Sequence, residues 1–144
     1  MAESNADERA SFDATLIEDF RTHNGTITIE PFAGGQLLLL HHLGAKSGVE
    51  RVNPLAYTRD GDDVIIIASK GGAPENPAWY HNLRANPDTT IELGPDVLDV
   101  TAEALTDGPE RERLFMQMAD QFQNFHEYQK KTDRLIPVVV LHRR

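Results

Sequence analysis

The sequence contains no cysteine, and this absence excludes disulfide bonds, thiolate metal sites and a cysteine nucleophile. Positive charge is scarce as well: 14 lysine and arginine residues stand against 23 aspartate and glutamate residues, a formal net charge of −9. Nucleic acid is therefore not expected as a partner, because surfaces that bind it are basic. An anionic ligand would need a local cluster of cations.

Long apolar runs are also missing. No segment approaches the ~20 apolar residues of a transmembrane helix, and the acidic stretch MAESNADERASFDATL lacks the apolar core of a signal peptide. We expect a cytoplasmic protein with no stable membrane insertion, for which any membrane contact would be peripheral. The length of 144 residues suits one domain, residues 1–144, with a single core.

Residues 1–24 are predicted to form an acidic tail and an amphipathic helix from about Phe12 to His23. Ser11 is a candidate N-cap, and Asn24-Gly25 is a stop signal. Apolar residues recur at helical spacing at Phe12, Leu16, Ile17 and Phe20. The polar face is mainly acidic, the wrong sign for anionic lipid, so the helix is expected to dock on the core.

Six short segments rich in apolar or β-branched residues predict strands at 37–43, 51–57, 64–68, 89–93, 97–104 and 136–142. Asp60-Gly61 would join the second and third strands as a hairpin, and Gly94-Pro95-Asp96 the fourth and fifth. Thr26–Ile29 is a weaker candidate strand. Helices are predicted at 76–86, after Pro109 and at 127–131. A meander with short crossovers favours a closed or nearly closed antiparallel barrel over a doubly wound parallel sheet.

The segment ASKGGAPENPAWYHNLRANP, residues 68–87, follows the third strand. Ser69, Lys70 and Gly71-Gly72 offer a hydroxyl, an ammonium and flexible backbone amides to an anionic or carbonyl-bearing ligand. Asn76 is predicted as an N-cap and Pro77 as the first helical residue. The alternative is an ordinary connection whose glycines only form the turn, and the dinucleotide-binding pattern GxGxxG is absent.

Three further groups could carry chemistry. Lys46, Ser47 and Arg51 cluster around a glycine-flanked loop, which indicates either an anion site or a solvated turn. His41 and His42 are adjacent in a predicted strand, so they point to opposite faces and no metal site is expected. Aromatic residues at spacings of three form a stripe, for which core packing is the default interpretation: Phe122, Phe125 and Tyr128.

Together with LLLLHHLGAKSGVERVNPLAY and YQKKTDRLIPVVVL, residues 68–87 give several motifs in order. From about Phe32 to Leu141 the sequence resembles the deazaflavin-dependent nitroreductases, which use coenzyme F-420, an 8-hydroxy-5-deazaflavin. The resemblance implies a six-stranded antiparallel split β-barrel with flanking helices, the fold of oxidases that bind flavin mononucleotide. It also implies an actinobacterial source.

The resemblance also assigns site residues. Lys46 and Arg51 would hold the cofactor's phosphate and acidic tail with Ser47 beside them, although the family loop usually reads Gly-Arg-Lys-Ser-Gly and position 45 is alanine here. The walls of the deazaflavin pocket would be Pro54, Ala68, Ser69, Lys70, Trp79 and Asn82. Donors for the ring carbonyls would come from the backbone at 68–70 and from the Asn82 side chain.

The function implied is an oxidoreductase that passes a hydride from reduced F-420 to an electron-poor small molecule: a quinone, nitroaromatic, activated enone or unsaturated lactone. Water or Tyr128 would supply the proton. The substrate side would include Phe122, Phe125 and Tyr128. Two of these three are phenylalanine where the nitroreductase that names the family has tyrosines, which argues against nitroimidazole activation. The alternative is a non-catalytic binder of a flavin-like or lipid-like ligand, and we expect a monomer or a weak homodimer.

Overall fold

The computed structural model describes the backbone of residues 2–30 and 33–144 and the side chains of residues 11–30 and 33–144. Phe32, where the resemblance begins, lies outside these ranges. Helix α1 runs from Ala2 to Thr22, so the predicted acidic tail is helical. Ser11 is consequently inside the helix, where its carbonyl accepts a hydrogen bond from Thr15 Oγ1, and it is not the N-cap.

The seven strands in the part of the chain that the structure describes are all paired antiparallel, which confirms the predicted sheet type. They are β1 Leu37–Leu43, β2 Glu50–Ala56, β3 Thr58–Asp60, β4 Asp63–Ile67, β5 Asp88–Leu93, β6 Asp96–Leu105 and β7 Val138–Arg143. The count exceeds the predicted six because residues 58–60, expected to belong to a turn, form β3. Residues 26–29 do not form a strand.

The order in the sheet is β2-β1-β5-β6-β7-β4-β3, so the predicted meander is wrong. Strand β4 pairs with β3 and β7, not with β2, because the fully buried run Val64–Ile66 needs apolar neighbours that β7 supplies. The pairing of β5 with β6 is as predicted. Only Tyr57 separates the edge strands β2 and β3 in sequence, so the sheet curls until its two edges meet at this corner.

Three helices complete the fold: α2 Ala78–Ala85, α3 Gly108–Gln121 and α4 Asn124–Lys130. Helix α2 begins one residue later than predicted. Pro77 occupies the cap position with an extended backbone (φ −68°, ψ 156°), and the Asn76 side chain accepts a hydrogen bond from Arg134 and does not cap the helix. Helix α3 contains Pro109 in its first turn, as expected. Phe122 is at its C-cap, so it does not share α4 with Phe125 and Tyr128.

The core lies on both faces of the curled sheet. One layer packs strand side chains such as Ile66 and Leu40 against Trp79 and Leu83 of α2. A second layer packs the alternate side chains of β4 and β7 against α3. Leu16 and Phe20 of α1 are buried against Ile27 and Leu39, which confirms that α1 docks on the core. None of the helices that the structure describes is long and apolar enough to cross a membrane.

Candidate functional site

Two neighbouring cavities share β2 and α2 as walls. The first, which we call the inner cavity, has a volume of about 320 Å³. Its lining includes Leu16 of α1, Pro54 of β2, the turn Ser69-Lys70-Gly71, Trp79 of α2, and Phe125 and Tyr128 of α4. The second, the loop cavity, has a volume of about 590 Å³ and is lined by the 44–47 loop, Arg51, Asn53, His42 and the outer side of α2.

The turn after β4 has a left-handed backbone at three consecutive residues. The φ angles are 47° at Lys70, 65° at Gly71 and 87° at Gly72. Gly72 and Ala73 donate their N–H groups back to the carbonyls of Ser69 and Lys70. Ser69, directly before them, is right-handed (φ −78°, ψ −38°). A right-handed residue followed by a left-handed one turns successive backbone N–H groups toward one point, an arrangement that suits an anion or a polarised carbonyl.

The predicted backbone donors at 68–70 divide into two groups. Ala68 donates its N–H to the Pro137 carbonyl at 3.0 Å, so this residue has no amide hydrogen to offer a ligand. Within the part of the chain that the structure describes, the N–H groups of Ser69 and Lys70 have no protein acceptor. Two of the three predicted amide donors, those of Ser69 and Lys70, are therefore not engaged by the described part of the protein.

The cation of the inner cavity, Lys70, has an ion-pair partner, whereas the cations of the loop cavity do not have one among the described residues. Lys70 Nζ lies 2.9 Å from Glu75 Oε1, and the hydrogen bond from Lys70 lowers the pKa of that carboxyl. Lys46 and Arg51 are exposed, and neither forms an ion pair with any side chain in the described ranges. Ser47 folds back on its own loop, where its Oγ accepts the Val49 N–H at 3.2 Å. The loop cavity thus offers the two unpaired charges.

The apolar wall of the inner cavity is aromatic. Trp79 is 7% exposed and lines the same space as Ser69 and Lys70. Phe125 and Tyr128 meet edge to face with ring centroids 5.6 Å apart. Phe122 contacts Phe125 from behind, at 6.3 Å, and is not among the lining residues. Of the three stripe residues, the structure brings Phe125 and Tyr128 to the cavity.

Asn82 and His42 form a buried connection that the sequence did not suggest. Asn82 Oδ1 accepts the N–H of Ala45 at 2.9 Å, and its Nδ2 donates to His42 Nδ1 at 2.9 Å. His42 Nε2 donates to Asn53 Oδ1 at 2.6 Å, and Asn53 lies 3.5 Å from Asp13 of α1. The Asn82 amide therefore holds the loop in place, whereas the sequence had suggested that it would contact a ligand ring.

His42 is 3% exposed, and burial lowers its pKa, with a smaller contribution from the charge of Arg51. The neutral ring fits its two bonds, since one nitrogen donates and the other accepts. His41 points to the opposite face, as predicted. There its Nε2 lies 2.7 Å from Glu92, which also receives Arg21 of α1 at 2.6 Å. The sequence signal for the buried Asn82–His42 connection was strand alternation, which predicts that one of the two adjacent histidines faces the protein interior.

An antiparallel sheet curled around an apolar cavity, with a second cavity that carries Lys46 and Arg51 beside it, defines a protein of the split-barrel class. The chain belongs to the F420H(2)-dependent quinone reductase family, whose model matches residues 15–143. This membership confirms the expectation of an F-420-dependent reductase, with quinone reduction as the activity that the family's description names.

Individual relatives agree with this assignment. An F420H(2)-dependent quinone reductase of Mycobacterium tuberculosis strain H37Rv is 45% identical over 127 residues, 87% of this chain and 85% of the relative. The solved structure of an F420-H2-dependent reductase, FDR-A, has a TM-score of 0.68 at 41% identity, over 74% of this chain and 94% of that one. The heme storage protein HutZ of Vibrio cholerae shares the fold alone, with a TM-score of 0.61 and 14% identity over 89% and 87%.

Proposed function

We propose that the protein reduces quinones with the hydride of reduced F-420, and that its two cavities divide the cofactor between them. The observation that carries this proposal is the contrast in their chemistry. Among the residues that the structure describes, one cavity combines apolar aromatic walls with two backbone N–H groups that have no protein acceptor, and the other holds two cations without an ion-pair partner. A deazaflavin ring joined to a phosphate and glutamate tail has the same two-part character.

The residues present fit the cofactor's two ends. Trp79 and Pro54 would lie against the ring, and the N–H groups of Ser69 and Lys70 would donate to its pyrimidine carbonyls. Lys46 and Arg51 would bind the anionic tail through charge-assisted hydrogen bonds. When bound in its reduced form, F-420 supplies a hydride from its C5 carbon.

The chain's own residues would shape the acceptor's side of the inner cavity. Reduction of a quinone to a hydroquinone takes one hydride and one proton. Tyr128 lines the cavity, and its hydroxyl can donate that proton to the quinone oxygen, after which solvent restores it. Leu16, Leu37 and Phe125 add apolar surface that limits water around the reacting atoms.

The same wall suggests an order among acceptors. Phe125 contributes no hydroxyl, and Phe122 stands behind it, so Tyr128 is the one stripe residue able to orient a polar acceptor. A quinone needs a single proton donor at one oxygen. A nitro group takes up more protons during its reduction, so we expect nitroaromatics to react more slowly than quinones, whereas enones and unsaturated lactones take one hydride and one proton, as quinones do.

Two measurements test the proposal. Fluorescence titration with F-420, with flavin mononucleotide as competitor, should give saturable binding that the flavin does not displace. Oxidation of reduced F-420 by menadione should then proceed at a rate proportional to enzyme concentration. Tight binding without turnover would instead support a non-catalytic binder, and preferential binding of the flavin would overturn the cofactor assignment.

A further inference from the structure

The motif YQKKTDRLIPVVVL contains a residue whose contacts the proposed function does not use. Arg134 precedes β7, and its guanidinium forms four hydrogen bonds with one short segment, residues 68–76. Nε donates to the Ala73 carbonyl at 2.9 Å, and Nη1 to Asn76 Oδ1 at 2.6 Å. Nη2 donates to the carbonyls of Ser69 at 2.9 Å and Ala68 at 3.3 Å.

The segment that Arg134 holds includes the left-handed turn of the inner cavity. Lys70 carries a Cβ and still adopts φ 47°, a conformation that only surrounding contacts can maintain. The turn has two internal hydrogen bonds and no strand partner of its own. Because a guanidinium is a rigid planar fork of donors, Arg134 fixes the relative positions of its four acceptors.

Arg134 is itself anchored to the frame that carries Tyr128. Its carbonyl accepts the Gln129 side-chain amide at 2.8 Å. Gln129 Oε1 in turn accepts the guanidinium of the buried Arg111 at 2.8 Å and the Ile136 N–H at 3.1 Å. Gln129 directly follows Tyr128, so one network connects α3, α4 and the turn.

The turn and α4 also touch directly. A Cβ placed on Gly72 would lie 2.7 Å from the Tyr128 carbonyl oxygen, closer than such atoms approach. The glycine therefore permits a contact with no free space between the backbone of the turn and that of Tyr128. A movement of the turn would be transmitted to Tyr128.

We propose that Arg134 is a positioning residue. It holds the turn, with its left-handed residues 70–72, in place and so sets the geometry between the amide donors of Ser69 and Lys70 and the Tyr128 hydroxyl. The consequence for the cofactor rests on the proposed function, but the effect on the turn does not. Arg134 would thus act on ligand binding through the turn, without contacting a ligand itself.

Amide hydrogen exchange tests the effect on the turn without any cofactor. In Arg134→Gln, exchange of the two hydrogen-bonded turn amides, those of Gly72 and Ala73, should accelerate about tenfold, the factor for roughly one lost charge-assisted bond, while the β4 and β7 amides stay protected. Arg134→Lys should restore little, since an ammonium cannot span the same four acceptors. The matched control is Arg113→Gln, because Arg113 also forms four hydrogen bonds but with Asp60 and Glu110, away from the turn.

Binding supplies the second readout. Arg134→Gln should weaken intact F-420 and the tail-less deazaflavin chromophore by the same factor, about tenfold, because the turn holds the ring that both share. Weakening of intact F-420 alone would overturn the proposal. If the wild type bound no F-420, the proposed function would fail, while the exchange data would still decide the role of Arg134.

A milder variant covers the case in which Arg134→Gln does not fold. Asn76→Ala removes one of the four acceptors and should accelerate exchange of the Gly72 and Ala73 amides by a smaller factor, again without change in β4 or β7. Acceleration spread evenly over the turn and both strands would make Arg134 a general stabilising residue and would overturn the proposal. Unchanged exchange at the turn would do the same.

Discussion

The two cavities lie side by side on the same strand and helix but are built in opposite ways. The inner cavity is bounded by a turn with a left-handed backbone, a paired lysine and aromatic walls, of which Trp79 is buried and Phe125 and Tyr128 are half-buried. The loop cavity combines the buried His42 and Asn82 with two exposed cations that have no ion-pair partner in the described ranges, Lys46 and Arg51. Hydrogen bonds to a ring need atoms placed within a few tenths of an ångström, whereas attraction to an anionic tail falls off slowly with distance. Under the proposed division of the cofactor, the conformation of the turn should therefore matter more for binding than the exact positions of Lys46 and Arg51.

The largest effect is expected from a substitution in the turn of the inner cavity. Gly72→Ala should destabilise the protein by about 2–4 kcal/mol, because the new methyl group would meet the Tyr128 carbonyl and the residue has φ 87°. Chemical denaturation measures the loss. Titration with the tail-less chromophore should show weakened binding in the same variant, since the turn must move.

Gly71→Ala is the matched control for this variant. Gly71 is also left-handed, at φ 65°, but a Cβ there meets no atom within 4 Å among the described residues. This substitution should cost about 1 kcal/mol from backbone conformation alone and leave chromophore binding nearly unchanged. Equal losses for the two glycines would mean that the contact with Tyr128 contributes nothing.

The next largest effect is expected from removing a cation of the loop cavity. Lys46→Ala or Arg51→Ala should weaken intact F-420 by roughly five- to a hundredfold, the effect of one lost charge-assisted contact, and leave the chromophore unaffected. Added salt should weaken the wild type toward the variants, because exposed contacts are screened over about 10 Å. Titration of both ligands at two salt concentrations measures this.

Two variants control for the loop experiment. Lys130→Ala removes a cation that pairs with Glu127 on α4 and should change neither affinity. Ala45→Arg restores the basic residue usual at that position and should tighten intact F-420 alone. If Lys46→Ala weakened both ligands equally, the loop would hold the ring or the fold, and the tail site would have to be abandoned.

Tyr128→Phe should lower turnover with menadione by about tenfold or more while changing F-420 affinity little. The hydroxyl is needed where a proton moves, whereas the ring maintains the edge contact with Phe125 in either form. Steady-state kinetics beside the titration separates the two effects. Phe122→Tyr is the companion variant: it adds a hydroxyl behind the cavity and should not increase turnover.

Sequence reasoning located the strands better than their partners. Runs of β-branched residues such as Val64–Ile67 identify a strand by local preference, but nothing local says that β7, more than seventy residues later, lies beside it. The same limit applies to the site. Gly71 and Gly72 marked the turn, whereas the hydrogen bonds of Arg134 to residues 68–76 join positions about sixty apart. Contacts of that range depend on the assembled fold.

The smallest effect concerns two histidines whose pKa values shift in opposite directions. Burial lowers the pKa of His42 below its ordinary 6.5, so the folded chain binds fewer protons than the unfolded chain just below pH 6.5. Its contribution to stability is present above that pH and is lost as the pH falls through the lowered value. Glu103 and then Asp63 raise the pKa of the half-exposed His142, whose contribution is lost as the pH rises through its raised value.

Free energies of unfolding from about pH 5 to 8 for the wild type, His42→Gln and His142→Asn should separate these contributions. On acidification the His42 variant should lose less stability than the wild type does from this group, and the His142 variant should lack the stability that the wild type gains from His142.

Protonated His42 would present a second N–H toward the Asn82 amide, so Asn82 would have to turn and release the Ala45 N–H. Acid should therefore shift the Ala45 amide resonance before those of Ser69 and Lys70, because one side chain, Asn82, links the histidine to Ala45, whereas its path to the inner cavity runs through Asn53 and the 3.5 Å contact with Asp13. Simultaneous shifts at both places would show that the two cavities respond as one unit.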